Sequence, residues 1–504
     1  MADAAAQYRE MTVDAAVRVG TIRSFQQVHW TANPQWEWYP DLRAQLRDLR
    51  VDSIRNHDCY GPTEIDTGYT ERGLKVIFPD PQRRRQIMEV ANAANIFPDW
   101  SADPNDPRSY RFAATDTYLR GIRDIGADLF FHIGPCSGGN YNPPADFDKY
   151  VEVMRHVLMH CNLGWADGFT GAVPYWEVWN EPEGYWSGTP EQFYELYARL
   201  ARALKATDPS IKIGGAATMQ PMSIGPYGEG FIRYCAENRV PIDFYSWHTY
   251  HDFNYDPYMP VLLARKAQAL LDAAGLSNVE NILSEWNLCA NPTEEAMPEL
   301  KSMLNAAFVG AVLIYLQDSP LSRAYYYRGD ALWMSLFSLR GEYYKPAYSF
   351  KAAGMMLDTP ERIALTGADD VGFAAIAGRS RDGNRVQVLI SNYEVPEKFE
   401  PSVLKLVEKL RAVEREYDQN FLPVDLGIKM PPPRPRGTYT RNRGYDLRID
   451  NLPWNDAPFT VRRYRLDETC DFKVVEETSH RGGTLRLQAA LVPPSLELIV
   501  LERA

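Results

Sequence analysis

The chain has 504 residues, 45% of them hydrophobic and 12% aromatic, with a formal net charge of −12. That length exceeds what one hydrophobic core usually holds and points to two domains. The acidic balance argues against nucleic acid or an anionic membrane as partner, and no stretch approaches the length of a transmembrane helix; 30 Tyr and 12 Trp suit a carbohydrate binder.

The N-terminal MADAAAQYREM has no basic segment followed by an apolar one, so no signal peptide is read and a cytoplasmic location is expected. Cysteines at 59, 136, 161, 235, 289 and 470 are scattered without a CxxC, which fits free thiols in a reducing compartment. Residues 12–24 alternate weakly and read as one or two strands, and a helix follows around Asp41–Arg50. Val51–His57 is the next strand, and Arg55 and His57, two apart, share one face of it. Residues 61–109 are turn-rich, with one helix at about 82–94. Asp116–Gly126 is read as a helix and Ala127–Ile133 as a strand. Gly138-Gly139-Asn140 lacks the frame of a phosphate loop. The helix Asp146–Asn162 carries His156 and His160 four apart; without HEXXH or further ligands they read as packing residues, and no metal is expected.

The most informative stretch is Pro174–Pro190. Tyr175–Trp179 is an aromatic, β-branched run suited to a buried strand, and Pro182 stops it, leaving Glu181 where strand becomes loop. Thr189-Pro190-Glu191-Gln192 then opens a helix, with Thr189 as N-cap, Pro190 in the first turn and Gln192 reaching back. Phe193, Leu196, Tyr197, Leu200 and Leu204 give that helix one apolar face. Strand, carboxylate, loop and helix make one β/α unit, and such units place chemistry at the C-terminal ends of their strands. Further strands are read at Ile211–Ala216, Phe244–His248 and Ala324–Tyr327, and helices at Ile232–Asn238 and Val261–Ala274. Asn281–Trp286 is another short apolar run, and it carries Glu285 at its end. Leu300–Leu316, with Ala306, Ala307 and Gly310, reads as a small-residue helix packed closely on the barrel.

Two carboxylates at strand ends on one rim are the minimum for breaking a glycosidic bond: one donates a proton, the other attacks or activates water. Tyr175, Trp176, Trp179, Tyr185 and Trp186 crowd the first and Trp286 the second, and flat rings match the C–H faces of sugars. From about residue 360, short strands at Gly372–Ile376, Arg385–Asn392, Tyr445–Leu452, Phe459–Leu466 and Leu485–Leu501 read as a β-sandwich. The expected division is 1–24 as strands joining that sandwich, 25–358 as the barrel and 359–504 as the sandwich, with a helical insertion at 401–417 and a proline-rich loop at 429–436.

WNEP with Glu181 at its third position, and the later EWN with Glu285, resemble the acid/base and nucleophile motifs of clan A glycoside hydrolases. Within that clan the chain is most similar to family 39, the family of β-xylosidases and α-L-iduronidases. Agreeing stretches are IRNHD at 54–58, ADLFFHIG at 127–134, IKIGGAAT at 211–218, DFYSWHTY at 243–250 and KPAYSFKAAG at 345–354. The resemblance covers most of residues 15–360. It implies a (β/α)8 TIM barrel, retention of configuration, Glu181 as acid/base and Glu285 as nucleophile. It further implies Arg55 beneath the carboxylates, His57 on sugar hydroxyls, Tyr250 hydrogen-bonding Glu285, and His248 on the sugar or the carboxylate. Asn180 is expected at the sugar 2-hydroxyl. The last barrel strand departs from the family pattern: Tyr326 or Tyr327 replaces a Trp platform, and Arg328 either reads a substrate carboxylate or, the preferred reading, pairs with Asp330 on the surface. The expected activity is therefore exo-hydrolysis of β-D-xylosides without a cofactor, with α-L-arabinosides or uronides as alternatives and a non-catalytic carbohydrate binder as the rival class. A small glycoside or oligosaccharide is the expected partner.

Overall fold

A computed structural model describes residues 8–30, 39–56, 80–82, 85, 95–134, 141–219, 225–250, 256–289, 297–331, 334–394 and 442–504. The expected helical insertion at 401–417, the proline-rich loop at 429–436, the Gly138–Asn140 turn and most of the helix at 82–94 lie outside these residues, as does His57.

Eight parallel strands close into a barrel: β2 (Gln27–His29), β3 (Ser53–Arg55), β4 (Asp128–Ile133), β5 (Tyr175–Val178), β6 (Lys212–Thr218), β7 (Phe244–Tyr250), β8 (Glu280–Asn287) and β9 (Arg323–Tyr326). Closure comes from β2 pairing with β9, Val28 opposite Tyr326. β2 is only three residues long and carries Gln27, whose amide donates to Asp52 at 2.8 Å and accepts from Ala324 N at 3.1 Å. Its shortness and polarity hide it from any hydrophobic pattern. The helix Pro190–Thr207 begins with a capping box: Thr189 Oγ1 accepts from Gln192 N at 3.3 Å and Gln192 Oε1 from Thr189 N at 2.9 Å.

The barrel interior is layered, as expected when alternate side chains of tilted strands point inward. At the floor, Phe130, Tyr175, Phe244, Ile282 and Tyr325 form an apolar plug separate from the main core. Above Phe130 and Tyr175 the next inward pair, His132 and Glu177, is polar. The charged residues of the site stand on that plug.

A second, nine-stranded sheet runs in the order β15-β14-β17-β12-β11-β10-β1-β13-β16. Here β1 is Tyr8–Thr21, β10 Glu361–Thr366, β11 Phe373–Arg379, β12 Arg385–Asn392, β13 Gly444–Asp450, β14 Pro458–Leu466, β15 Asp471–Arg481, β16 Leu485–Ala490 and β17 Ser495–Arg503. β1 pairs with β10 on one side and β13 on the other, with a register shift between Asp14 and Arg18. Hydrogen bonding is continuous, yet the two arms face each other: Tyr445 on β13 hydrogen-bonds Glu497 on β17, and both are buried. The sheet thus makes a sandwich by curling, which a bulge favours by bending a strand. β10 and β15 are not legible as strands in the sequence, and 485–501 is two strands; β15 lies at the sheet edge and is mostly exposed.

The small-residue helix, Met303–Tyr315, is buried on all sides. Its small residues admit the second sheet as well as the barrel. A Cβ at Gly310 would meet Leu496 Cδ1 at 2.6 Å, and Ser391 Oγ donates to Ala307 O at 2.7 Å. The seam between the two units is therefore a close-packed interface.

Candidate active site

Arg55, at the end of β3, is fully buried and fans its guanidinium over three acceptors. Nε donates to Glu177 Oε2 at 2.5 Å, Nη1 to Glu285 Oε1 at 2.7 Å and Nη2 to Asn180 Oδ1 at 2.9 Å. A buried cation is tolerated only when paired and hydrogen-bonded in this way. Burial lowers the Arg55 pKa, but the charges of Glu177 and Glu285 outweigh it and hold the pKa above its ordinary value.

Glu285 is 4% exposed and held at both oxygens, with Tyr250 Oη donating to Oε2 at 2.6 Å. Burial, with the Glu285 charge beside it, pushes the Tyr250 pKa well above its usual value, so the phenol keeps the proton it donates. Strict alternation along β8 would not aim Glu285 here. Ile282 points to the barrel interior and Leu283 to the main core, so Glu285 should point outward and Trp286 inward. A register irregularity resets the pattern: Trp247 pairs with Leu283, but His248 pairs with Glu285, so β8 carries one extra residue.

Glu181 follows β5 with left-handed backbone geometry (φ 44°), and Trp179 shares it (φ 71°). For non-glycine residues this is strained, on the order of 1–3 kcal/mol each, and tends to mark functional sites. Neighbours hold the turn: Trp179 N donates to Ile133 O at 2.6 Å and Glu181 N to Ala217 O at 2.9 Å. His248 Nδ1 lies 2.8 Å from Glu181 Oε1 and 3.6 Å from Glu285 Oε2. One atom each of Glu181, His248 and Glu285 falls within 4.8 Å of the others. These three also have the spacing for a metal ion, but Arg55 and Tyr250 already donate to both Glu285 oxygens, which opposes a second cation there.

Two residues after Glu181, Glu183 Oε1 accepts from Met219 N at 3.0 Å. Its other oxygen is buried without a hydrogen-bond partner among the described residues. Burial, helped by the nearby Glu181 charge, pushes its pKa up to about 8. Nothing in the local sequence distinguishes Glu183 from a solvated loop residue.

Of the other expected site residues, Asn180 and His248 are buried at the carboxylates, and Tyr327 lies edge-on to Tyr250 at 6.2 Å and to His29 at 5.1 Å. Two expectations need correction. Trp286 is fully buried in the helical layer, edge-on to Tyr326 at 5.1 Å and near Phe350, because the β8 bulge turns it away from the mouth. Trp186 is enclosed edge-on between Trp179 and Phe193, with Nε1 donating to Thr189 O at 2.9 Å, so it packs beneath the following helix. Arg328 does pair with Asp330, through Nε at 3.0 Å and also Nη2, but not on the surface. Both are buried, and the guanidinium lies 3.9 Å over the Trp30 ring. His156 and His160 are satisfied inside the fold: His160 bridges Asp116 and Trp165 O at 2.8 and 2.9 Å, and His156 meets Glu152 O at 2.9 Å.

Residues 100–335 match the family model described as glycosyl hydrolases family 39. A β-xylosidase from Caldicellulosiruptor saccharolyticus is 28% identical over 240 residues, 42% of this chain and 47% of the relative. Another from Geobacillus stearothermophilus is 29% identical over 198 residues, 35% of this chain and 37% of the relative. The chain thus spans less than half the length of these curated relatives in the match. Along the full length, the crystal structure of a glucosidase from Croceicoccus marinus superposes with a TM-score of 0.80 at 32% identity, covering 99% of this chain and 100% of that one.

Proposed function

Because the chain belongs to glycoside hydrolase family 39, we propose that it is a retaining exo-glycoside hydrolase acting on β-D-xylosides. The observation that carries this reading is the approach of Glu181 and Glu285 to within 4.8 Å, atom to atom. Retaining enzymes keep their carboxyl groups about 5–5.5 Å apart, whereas inverting ones need a wider gap to admit water.

In this mechanism Glu181 protonates the departing glycosidic oxygen while Glu285 attacks the anomeric carbon, and a glycosyl-enzyme ester forms with inversion. Water, deprotonated by the now ionised Glu181, attacks the same carbon and releases Glu285, inverting a second time. Arg55 and Tyr250 hold one Glu285 oxygen each, so the nucleophile is aimed before substrate arrives. His248 orients Glu181. With Asn180 Oδ1 taken by Arg55, the Asn180 amide N–H groups are left for the sugar 2-oxygen. Tyr327 is the aromatic neighbour offered to the sugar face. His57 is assigned to sugar hydroxyls on the family resemblance alone. These steps use no cofactor.

A β-D-glucoside is a second reading, favoured by the full-length likeness to a glucosidase. The uronide alternative loses its main support, since the Arg328 guanidinium is buried against Asp330. The test is hydrolysis of aryl β-D-xyloside, β-D-glucoside, α-L-arabinoside and β-D-glucuronide, with the first product anomer read by NMR. Rapid turnover of the xyloside with retained configuration is expected. Glu285→Ala should abolish turnover on every substrate, and azide should restore it with an inverted glycosyl azide. An inverted product from the wild type, or an active Glu285→Ala, refutes the mechanism; no turnover of any glycoside leaves the binder reading.

A further inference from the structure

The structure assigns Glu177 as a positioning residue that acts through Arg55 on Glu285 and Asn180. The assignment rests on the roles proposed for those two residues. Glu177 lies on β5, one inward step above Tyr175, and is fully buried. Its Oε2 takes the Arg55 Nε–H at 2.5 Å, while Oε1 is buried without a hydrogen-bond partner among the described residues. A guanidinium is a planar fork, so fixing Nε–H fixes the directions of both Nη groups. With Nε aimed down at Glu177, Nη1 points at Glu285 and Nη2 at Asn180. One cation is thus divided between two carboxylates, and Glu177 draws off part of the charge that would otherwise act on Glu285. Among the described residues, the ionisable groups around this unit are Tyr250 and His248 from β7, Glu181 beyond β5, and His132, the register partner of Glu177 on β4.

Replacing Glu177 therefore does two separable things. Glu177→Gln keeps a neutral acceptor for Nε but removes the competing charge, so the full Arg55 charge falls on Glu285. The acidic limb of kcat/KM on an activated aryl glycoside should move down by about one pH unit. Turnover should fall about tenfold with KM changed less than about threefold, because the lost aim concerns the transition state. Glu177→Asp keeps the charge but retracts the anchor: turnover should fall similarly with the acidic limb in place. Arg55→Met should move the limb the opposite way. A folded Glu177→Gln whose acidic limb stays put overturns the assignment. If Glu177→Gln does not fold, Glu177→Asp decides, and wild-type turnover in that variant overturns it. Glu285→Ala, run alongside, separates the two readings: if that variant stays active the nucleophile is wrong, and if it is dead while the Glu177 variants behave as wild type, only this inference fails.

Discussion

Glu183 makes a prediction that needs no substrate. Its pKa is raised from 4.5 to about 8, chiefly by burial. A carboxyl with a raised folded-state pKa favours the folded state fully at pH values below the unfolded pKa. That contribution declines as pH rises past 4.5 and is gone above about 8. A shift of this size corresponds to at most about 5 kcal/mol. Because the residue is only partly covered, water access reduces the effect to roughly 2–3 kcal/mol. In Glu183→Gln the side-chain oxygen can still accept from Met219 N, the group cannot ionise, and the pH-dependent loss disappears. Thermal melts of both proteins at pH 5, 7 and 9 provide the assay. The variant should gain on the wild type between pH 5 and 9 by a few degrees, on the order of 2–5 °C. Parallel pH profiles for the two proteins would refute the reasoning and show that Glu183 is solvated or has found a partner for its second oxygen.

Other consequences can be checked together. Glu181→Ala should slow substrates with poor leaving groups far more than activated aryl glycosides, since the latter need no proton; equal losses would reassign Glu181. Tyr250→Phe should lower kcat about 10- to 100-fold, the worth of one hydrogen bond to a charged group, without altering circular dichroism. Arg328→Met removes the cation that pairs with the buried Asp330 carboxylate and should cost about 3–5 kcal/mol, seen as a lowered melting temperature that Asp330→Asn partly restores. Thr189→Ala should cost about 1 kcal/mol in denaturant titrations by removing one arm of the capping box.

Local chemistry is legible in the residues themselves. Pro182 must end the strand before it, so Glu181 stands at a strand end whatever the rest of the chain does. Thr189 to Gln192 spell a helix start that the fold keeps. Alternation along β7 puts His248 and Tyr250 on one face, and both meet the carboxylates. The β/α order and the family motifs announce a barrel. Other features depended on contacts between distant segments. Glu181 and Glu285 are 104 positions apart, and their approach to within 4.8 Å requires the barrel to close through β2, a strand too short and polar to be read. The faces of Glu285 and Trp286 were set by one extra residue in β8. Such a bulge is defined by pairing with neighbouring strands, and no property of the segment alone encodes it. Arg328 and Asp330 look like a surface pair because charged residues are usually exposed, but both are buried, and Trp30, from the opposite end of the barrel sequence, stacks on the Arg328 guanidinium. Glu177 and Glu183 differ from ordinary loop and strand glutamates only in what surrounds them. A sequence specifies which groups can ionise, while burial and partners, which decide how they ionise, exist only once the chain has folded.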